Sequence, residues 1–522
     1  MHLKSINIEN FRGYKNKTSM DFNDLTAIVG KNDIGKSTIL EALDIFFNDG
    51  KGLIRIDKDD VNIECQNNGN FDISISLIFD ELPGTIVIDT ANETTLKKEY
   101  LLNDTEDLEI VKIFNRSTVK TYVKAIHPKN DKCSELLTKK NGDLKKIVEE
   151  LGLSCDKTKN AEMRAAIWNH YNGDLQLGVS DLDVGSKDGD MKSIWTKLKT
   201  FLPYYSLFQS DRKNSDGDDE VQDPLKEAVK QIMLEEGIKS KLNEVANSVK
   251  TKLQEVSNST LRKLQELNPQ IADSLHPNIP DTESLKWSDV FKGLSIYGDG
   301  GIPINKRGSG VRRLVLISFF RAEAEKRMTE ENNPSIIYAI EEPETSQHKE
   351  HQRLLITALK SIAKRPNAQI IITTHSSDIV KQLTFEDIRL LLKENDGVTV
   401  KRVQQGCLPY PSLNEVNYKA FNDISEEYHN ELYGYLQSCA VEENSNNEKQ
   451  KDFDNWLVGK NNAISKNKRW SRVRGNICDC TGQTYIRNFI HHPENSNNIL
   501  YSIDELKISI EKMVKIAMDM QV

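Results

Sequence analysis

The sequence predicts an α/β protein with a helical insertion and an α-helical C-terminal domain. Three observations carry that prediction. Apolar runs that suit buried parallel strands, "LTAIVG" (25–30), "SIIYAIEE" (335–342) and "AQIIITTH" (368–375), stand beside stretches of helical spacing. Between the first run and the other two lies a long segment with apolar residues every three or four positions. From about residue 410 the chain reads mostly as helix.

In chain order, "MHLKSINIENF" alternates polar and apolar residues like a strand facing one core. "LTAIVG" is a short buried strand, and "STILEALDIFF" (37–47) follows with helical spacing. "FDISISLIFDEL" (71–82) alternates with period two. Residues 95–220 are mixed and rich in turn signals. Leu225, Val229, Ile232, Ile238, Leu242, Val245, Val249, Leu253, Val256, Leu261 and Leu264 then mark one or two amphipathic helices. Asp223 is placed to cap the first and Pro224 to open it. A helical hairpin and an extended coiled coil of at most roughly 65 Å both fit. "VRRLVLISFFRAEAEKR" (311–327) and "EHQRLLITALKSIAK" (350–364) are further helices. Domain boundaries are expected at 1–95 and 285–405 for the two halves of the α/β unit, 96–284 for a mostly helical insertion, and 406–522 for the tail.

Composition narrows the function classes. The 522 residues allow three or four domains, and 37% are apolar against 29% charged. No apolar run approaches the roughly 18 residues of a membrane span, and the N-terminus lacks a signal-peptide core. Seven scattered cysteines without metal-ligand spacing suit thiols in a reducing cytoplasm. The net charge of −9 argues for no global nucleic-acid surface and leaves room for a local basic patch.

"GKNDIGKST" (30–38) fits G-x-x-x-x-G-K-[ST] between a strand and a helix. Gly30, Asn32 and Gly35 form the loop whose backbone N–H groups cradle phosphate oxygens, with Thr38 in the first helical turn. Lys36 reaches the β- and γ-phosphates, and the Ser37 hydroxyl is a ligand for Mg²⁺. Strand spacing puts Glu341 at the carboxyl end of its strand, as the second Mg²⁺ residue, and Glu342 next to it as the base for the attacking water. His375 ends another strand and is expected at the γ-phosphate. ATP and Mg²⁺ are therefore the expected ligands.

This phosphate loop, "RGSGVRRLVLISF" (307–319), "EEPE" (341–344) and "TTHSS" (373–377), in this order, resemble the ATP-binding-cassette (ABC) ATPases of the SMC/RecF/OLD group. "NIENFRGYKN" near the start is similar to that group as well. The resemblance implies an ABC-type P-loop ATPase. It places Arg12 near the nucleotide, and makes Ser309 and Gly310 a signature that reaches a partner's ATP in a homodimer or higher oligomer with shared sites. The signature departs from the group's usual Ser-Gly-Gly-Gln, and Glu341 stands where many cassettes have aspartate. No glutamine loop can be placed, and Asp60 is a candidate for the metal shell.

The tail carries "TGQTYIRNFIHHPEN" (481–495) before a final amphipathic helix. It resembles the HEPN family of small helical ribonucleases, whose motif is R-x(4–6)-H. That resemblance implies Arg487, Asn488 and His492 as catalytic residues. The plainer reading is the polar end of a helix, with Arg487 at the negative end of the helix dipole and Pro493 stopping the helix. The Toprim nuclease domain of OLD proteins has no matching motif after His375. Together these features resemble ATPases of bacterial anti-phage defence, such as Septu and the anticodon nucleases. They imply an ATPase dimer that senses a phage or nucleic-acid signal and gates a HEPN-like ribonuclease. The alternative is a non-nuclease ATPase that binds DNA or controls a separately encoded nuclease effector.

Overall fold

The computed structural model describes residues 1–89, 92–116, 118–186, 189–209, 335–345, 349–394, 397–473 and 475–520, with scattered positions between 237 and 251. One compact unit comprises 1–210 and 323–522, and a second comprises 211–322. The amphipathic segment at 225–264 falls mostly outside the described residues, and the signature at 308–310 does so entirely.

Two six-stranded sheets build the first unit. The strands are β1 (His2–Glu9), β2 (Thr18–Asp21), β3 (Leu25–Val29), β4 (Ile73–Asp80), β5 (Ile86–Asp89), β6 (Asn92–Thr94), β7 (Leu108–Asn115), β8 (Thr118–Pro128), β9 (Leu177–Asp183), β10 (Tyr204–Phe208), β11 (Ile336–Glu341), β12 (Ala368–Thr373), β13 (Ile388–Glu394) and β14 (Gly397–Arg402). The first sheet is antiparallel in the order β2-β1-β4-β7-β8-β9. The second has the order β10-β11-β12-β3-β13-β14, parallel except for β14. β5 and β6 form a separate hairpin.

Burial explains the sequence patterns. β3 and β12 are buried at every residue, and β11 at every residue except its last, Glu341. That is the reason their sequences are continuous apolar runs. Helix α1 (Lys36–Phe47) buries Ile39, Leu40, Leu43 and Phe46 in a core shared with Ile28, Ile337 and Ile371 of the parallel sheet and Leu77 and Ile110 of the antiparallel one.

The expectation of a mostly helical segment over 96–284 fails in its first part. Residues 108–128 are the strands β7 and β8, which extend the sheet of β1 and β4. Leu108, Ile110, Val123 and Ala125 face the core, so the period-two alternation is that of a half-buried sheet. Helices α2 (Ile63–Asn67), α3 (Asn141–Glu150), α4 (Asn160–His170) and α5 (Met191–Phe201) complete this half. After β11, α6 (Lys349–Ala363) packs on β12, and α7 (Ser377–Val380) is a single turn.

The tail is helical, as expected, with one hairpin. Its helices are α8 (Leu413–Phe421), α9 (Glu426–Glu443), α10 (Gln450–Lys460), α11 (Gly482–His491) and α12 (Ile503–Asp519). The hairpin is β15 (Lys468–Ser471) with β16 (Ile477–Cys480). Leu432, Leu436, Phe453, Ile510 and Met513 form a core separate from that of the sheets. Among the described residues, no helix is long and apolar enough to cross a membrane.

Candidate active site

Four adjacent parallel strands, β10, β11, β12 and β3, bring their carboxyl ends together. In open parallel sheets that edge is where ligands bind. The loop after β3 turns sharply. A Cβ on Gly30 would lie 2.9 Å from the Leu391 carbonyl oxygen, so no side chain fits there. Gly35 has φ 101°, and a Cβ there would meet the Tyr14 ring at 3.1 Å. Tyr14 also donates its hydroxyl to the Gly35 carbonyl at 2.9 Å, which fixes the turn from below. The result is a loop of bare backbone leading into the N-terminus of α1, a shape that suits a phosphate chain.

Lys36 is 6% exposed and folds back, donating to the carbonyls of Gly30 at 3.0 Å and Lys31 at 2.8 Å. Burial pushes its pKa down, and Glu342, Asp33, Glu341 and Glu344 act against that shift. Those loop carbonyls hold the ammonium where the β- and γ-phosphates would replace them. Ser37 donates its hydroxyl to Glu341. A hydroxyl and a carboxylate in contact beside a lysine fit a Mg²⁺ that also takes phosphate oxygens.

Glu342 is the hinge of the next turn. Its φ is 39°, a conformation costly for a residue with a Cβ. Its N–H donates to the Thr373 carbonyl at 3.1 Å, and its carboxylate lies 3.4 Å from His375 Nε2. Burial and Lys36 lower the His375 pKa, while Glu342 raises it. Lys36, Ser37, Glu341, Glu342 and His375 thus converge. Asn32 is exposed on the loop, and Thr38 is half-buried at the start of α1.

Three further residues emerge only from the structure. Glu344 accepts from the Thr374 hydroxyl at 2.7 Å and from the N–H groups of His375 and Ser376 at 2.7 and 3.1 Å. It fastens the turn that presents His375. Gln209 follows β10, whose Phe208 pairs with Ile340, so it comes level with Glu341. Its amide donates to Glu41 Oε1 at 3.0 Å. Glu41 also pairs with Arg12. Only the parallel register of β10 with β11 singles out Gln209.

The metal-shell reading of Asp60 is corrected. One of its oxygens accepts from Arg12 Nε at 2.7 Å and the other from the Asp57 N–H at 2.9 Å. Its carboxylate positions Arg12 and caps a turn.

In the tail, α11 is capped by Thr481, whose hydroxyl accepts from the Thr484 N–H. Buried Asp454 accepts from the hydroxyls of Thr481 and Thr484, both at 2.6 Å. Tyr433 bonds to the Thr484 hydroxyl at 3.0 Å, and the Arg487 guanidinium lies 5.5 Å above the Tyr433 ring. Asn488 is buried and accepts from Gln450 at 2.7 Å, so its side chain serves the packing of α10 on α11. His492 is exposed, caps the helix end and sits 3.4 Å from Glu494. His491 lies one turn from Arg487 on the same face. Its pKa is lowered by burial, Arg487 and His492. The group that shares a surface with Arg487 therefore includes His491, which the sequence motif passes over.

Residues 1–380 match the AAA ATPase domain family. The chain belongs to that family. It is an ATPase-domain protein with an α/β P-loop fold and a helical C-terminal region. It is 25% identical over 479 residues to Endonuclease GajA of Bacillus cereus, a match covering 81% of this chain and 65% of that protein. The chain thus spans less than two thirds of that relative's length. An uncharacterized protein, MJECL44 of Methanocaldococcus jannaschii, is 29% identical over 113 residues, 22% of this chain and 31% of its own length. Among solved structures, the SMC head domain from Thermotoga maritima aligns with a TM-score of 0.32 at 14% identity, over 78% of this chain and 100% of its own. The SmcHead bound to the C-winged helix domain of ScpA aligns with 0.35 at 12% identity, over 80% and 100%.

Proposed function

We propose that the chain is an ATP-hydrolysing anti-phage defence protein of SMC/RecF/OLD type, in which the nucleotide cycle gates RNA cleavage by the C-terminal helical domain. Lys36 and the loop amides hold the triphosphate. Ser37 and Glu341 would hold Mg²⁺, which would supply positive charge beside the phosphates. Glu342 takes the proton of the attacking water, and His375 donates to the γ-phosphate. Arg12 and Gln209 approach from the flanks of α1. Ser309 and Gly310 of a second copy close the site in a homodimer.

The observation that supports gating is a pair of contacts between nucleotide elements and the tail. Lys31, in the phosphate loop, places its ammonium 4.7 Å from the Phe421 ring centroid at the end of α8. Lys381, just past the His375 turn, pairs at 2.5 Å with Glu431 of α9, whose side chain is buried. Any shift of these loops on nucleotide binding is felt directly by α8 and α9.

RNA supplies its own nucleophile, the 2′-OH. A histidine can take that proton, and Arg487 can stabilise the pentavalent phosphate. His491 and His492 are the candidates for the proton transfer. Full-length protein incubated with labelled tRNA or duplex DNA, with and without ATP, tests the proposal. ATP-dependent RNA products ending in 2′,3′-cyclic phosphate, lost in Arg487→Ala, support it. Inert RNA with an active ATPase refutes it. The likeness to Endonuclease GajA favours a second reading, in which the ATPase acts on DNA or directs a separately encoded nuclease. Cleavage confined to duplex DNA, or dependent on an added subunit, selects that reading.

A further inference from the structure

Glu41 lies on α1, four residues and about one turn beyond Ser37. One of its oxygens accepts from Arg12 and the other from Gln209 at 3.0 Å. Its side chain is 15% exposed, and the two donors are its hydrogen-bond partners. Arg12 is held from its other side by Asp60 at 2.7 Å. Gln209 hangs from the end of β10, beside Glu341. A single carboxylate, one turn beyond Ser37, therefore bridges two side chains that arrive from distant parts of the chain.

We propose that Glu41 is a positioning residue that couples Arg12 to Gln209, so that Gln209 is freed to move toward Glu341 only after Arg12 and Glu41 have been rearranged by nucleotide. The reasoning is electrostatic. A largely buried carboxylate that loses its guanidinium partner becomes costly and holds its remaining donor more firmly. If Arg12 is removed outright, Glu41 keeps only the Gln209 amide and retains it. Gln209 is then kept on Glu41. With nucleotide bound, Arg12 moves toward the triphosphate, and Glu41 can follow its cation and release Gln209. The proposal rests on the reading of Arg12 and Gln209 as nucleotide-site residues.

A double-mutant cycle tests it on full-length protein, read as kcat/KM for ATP hydrolysis. Arg12→Ala and Gln209→Ala should each lower kcat/KM. Arg12→Ala already withholds Gln209, so the double variant should lose less than the product of the two single losses. The shortfall should be about threefold to tenfold, the usual size for side chains sharing a partner. In a Glu41→Gln background the charge that retains Gln209 is gone, and the losses should multiply. Multiplicative losses in the parent protein overturn the coupling, and this half of the cycle needs no change at Glu41. A shortfall that persists in folded Glu41→Gln protein shows that something else links the pair, which also overturns the proposal. Single variants without effect fail at an earlier point, refuting the site reading itself and the coupling with it.

Discussion

Removal of Glu344 should slow ATP hydrolysis without weakening ATP binding. One oxygen of Glu344 receives three hydrogen bonds, from the Thr374 hydroxyl, the His375 N–H and the Ser376 N–H. Glu344→Ala deletes all three. Hydrogen bonds to a charged group contribute about 1.5–3 kcal/mol each. Three on one oxygen do not add fully, and His375 is open enough for water to replace part of the loss. About 2–4 kcal/mol of constraint on the turn then disappears. If that constraint positions His375 in the transition state, kcat should fall roughly 30- to 1000-fold. The phosphate loop is a separate element, so KM for ATP should change by less than about threefold. Glu344→Gln retains an acceptor oxygen without the charge and should fall only about tenfold. The assay is steady-state phosphate release, with thermal unfolding to confirm folded variants. A folded alanine variant within threefold of wild-type kcat would refute the reasoning, as would a loss confined to KM.

Three other outcomes follow from the same geometry. Glu342→Gln should bind ATP normally while turnover falls about 10²- to 10⁴-fold, if Glu342 is the general base proposed above and the phosphate loop is left intact. Lys36→Ala should lose binding as well, and equilibrium binding of a fluorescent ATP analogue separates the two. His375 should titrate below the ordinary 6.5, since burial and Lys36 disfavour its charged form. The folded state then resists protonation and loses stability as pH falls through 6.5, and Glu342→Gln should lower the midpoint further. Histidine-resolved NMR titration would count against this with a midpoint above 6.5. Phe421→Ala combined with Lys381→Ala should leave ATP hydrolysis within about threefold and abolish the ATP dependence of the proposed RNA cleavage. Retained ATP dependence would show that coupling runs elsewhere.

The parts of the site legible in the sequence are those whose chemistry is written in consecutive residues. "GKNDIGKST", "EEPE" and "TTHSS" each contain a strand end and the side chains it presents, so local spacing sufficed. Gln209 was illegible because its meaning comes from pairing between Phe208 and Ile340, which no local pattern records. Glu41 looks like an ordinary polar position on an amphipathic helix until Arg12 and Gln209 arrive from elsewhere. Asp60 was misread for the complementary reason. Carboxylates near a nucleotide suggest metal, whereas this one is occupied by Arg12 and a backbone N–H. In the tail, the motif spacing favoured His492, but helical phase places His491 on the face of Arg487. The strands at 108–128 were obscured by turn signals on both sides, although their own alternation is regular.

The order β10-β11-β12-β3-β13-β14 has a consequence for the integrity of the chain as a single polypeptide. Residues before the middle segment contribute β10 and β3 to this sheet, and residues after it contribute the other four strands. β3 lies between β12 and β13, so it has no neighbour from its own half. A nick within 211–322 would leave two pieces, neither of which holds this sheet complete, with bare strand edges seeking partners. Co-expressed, the pieces should complement each other like a split reporter, while the first piece alone should aggregate. The five residues of β3, buried at every position and paired on both sides with strands from beyond the middle segment, leave no room for a single charge.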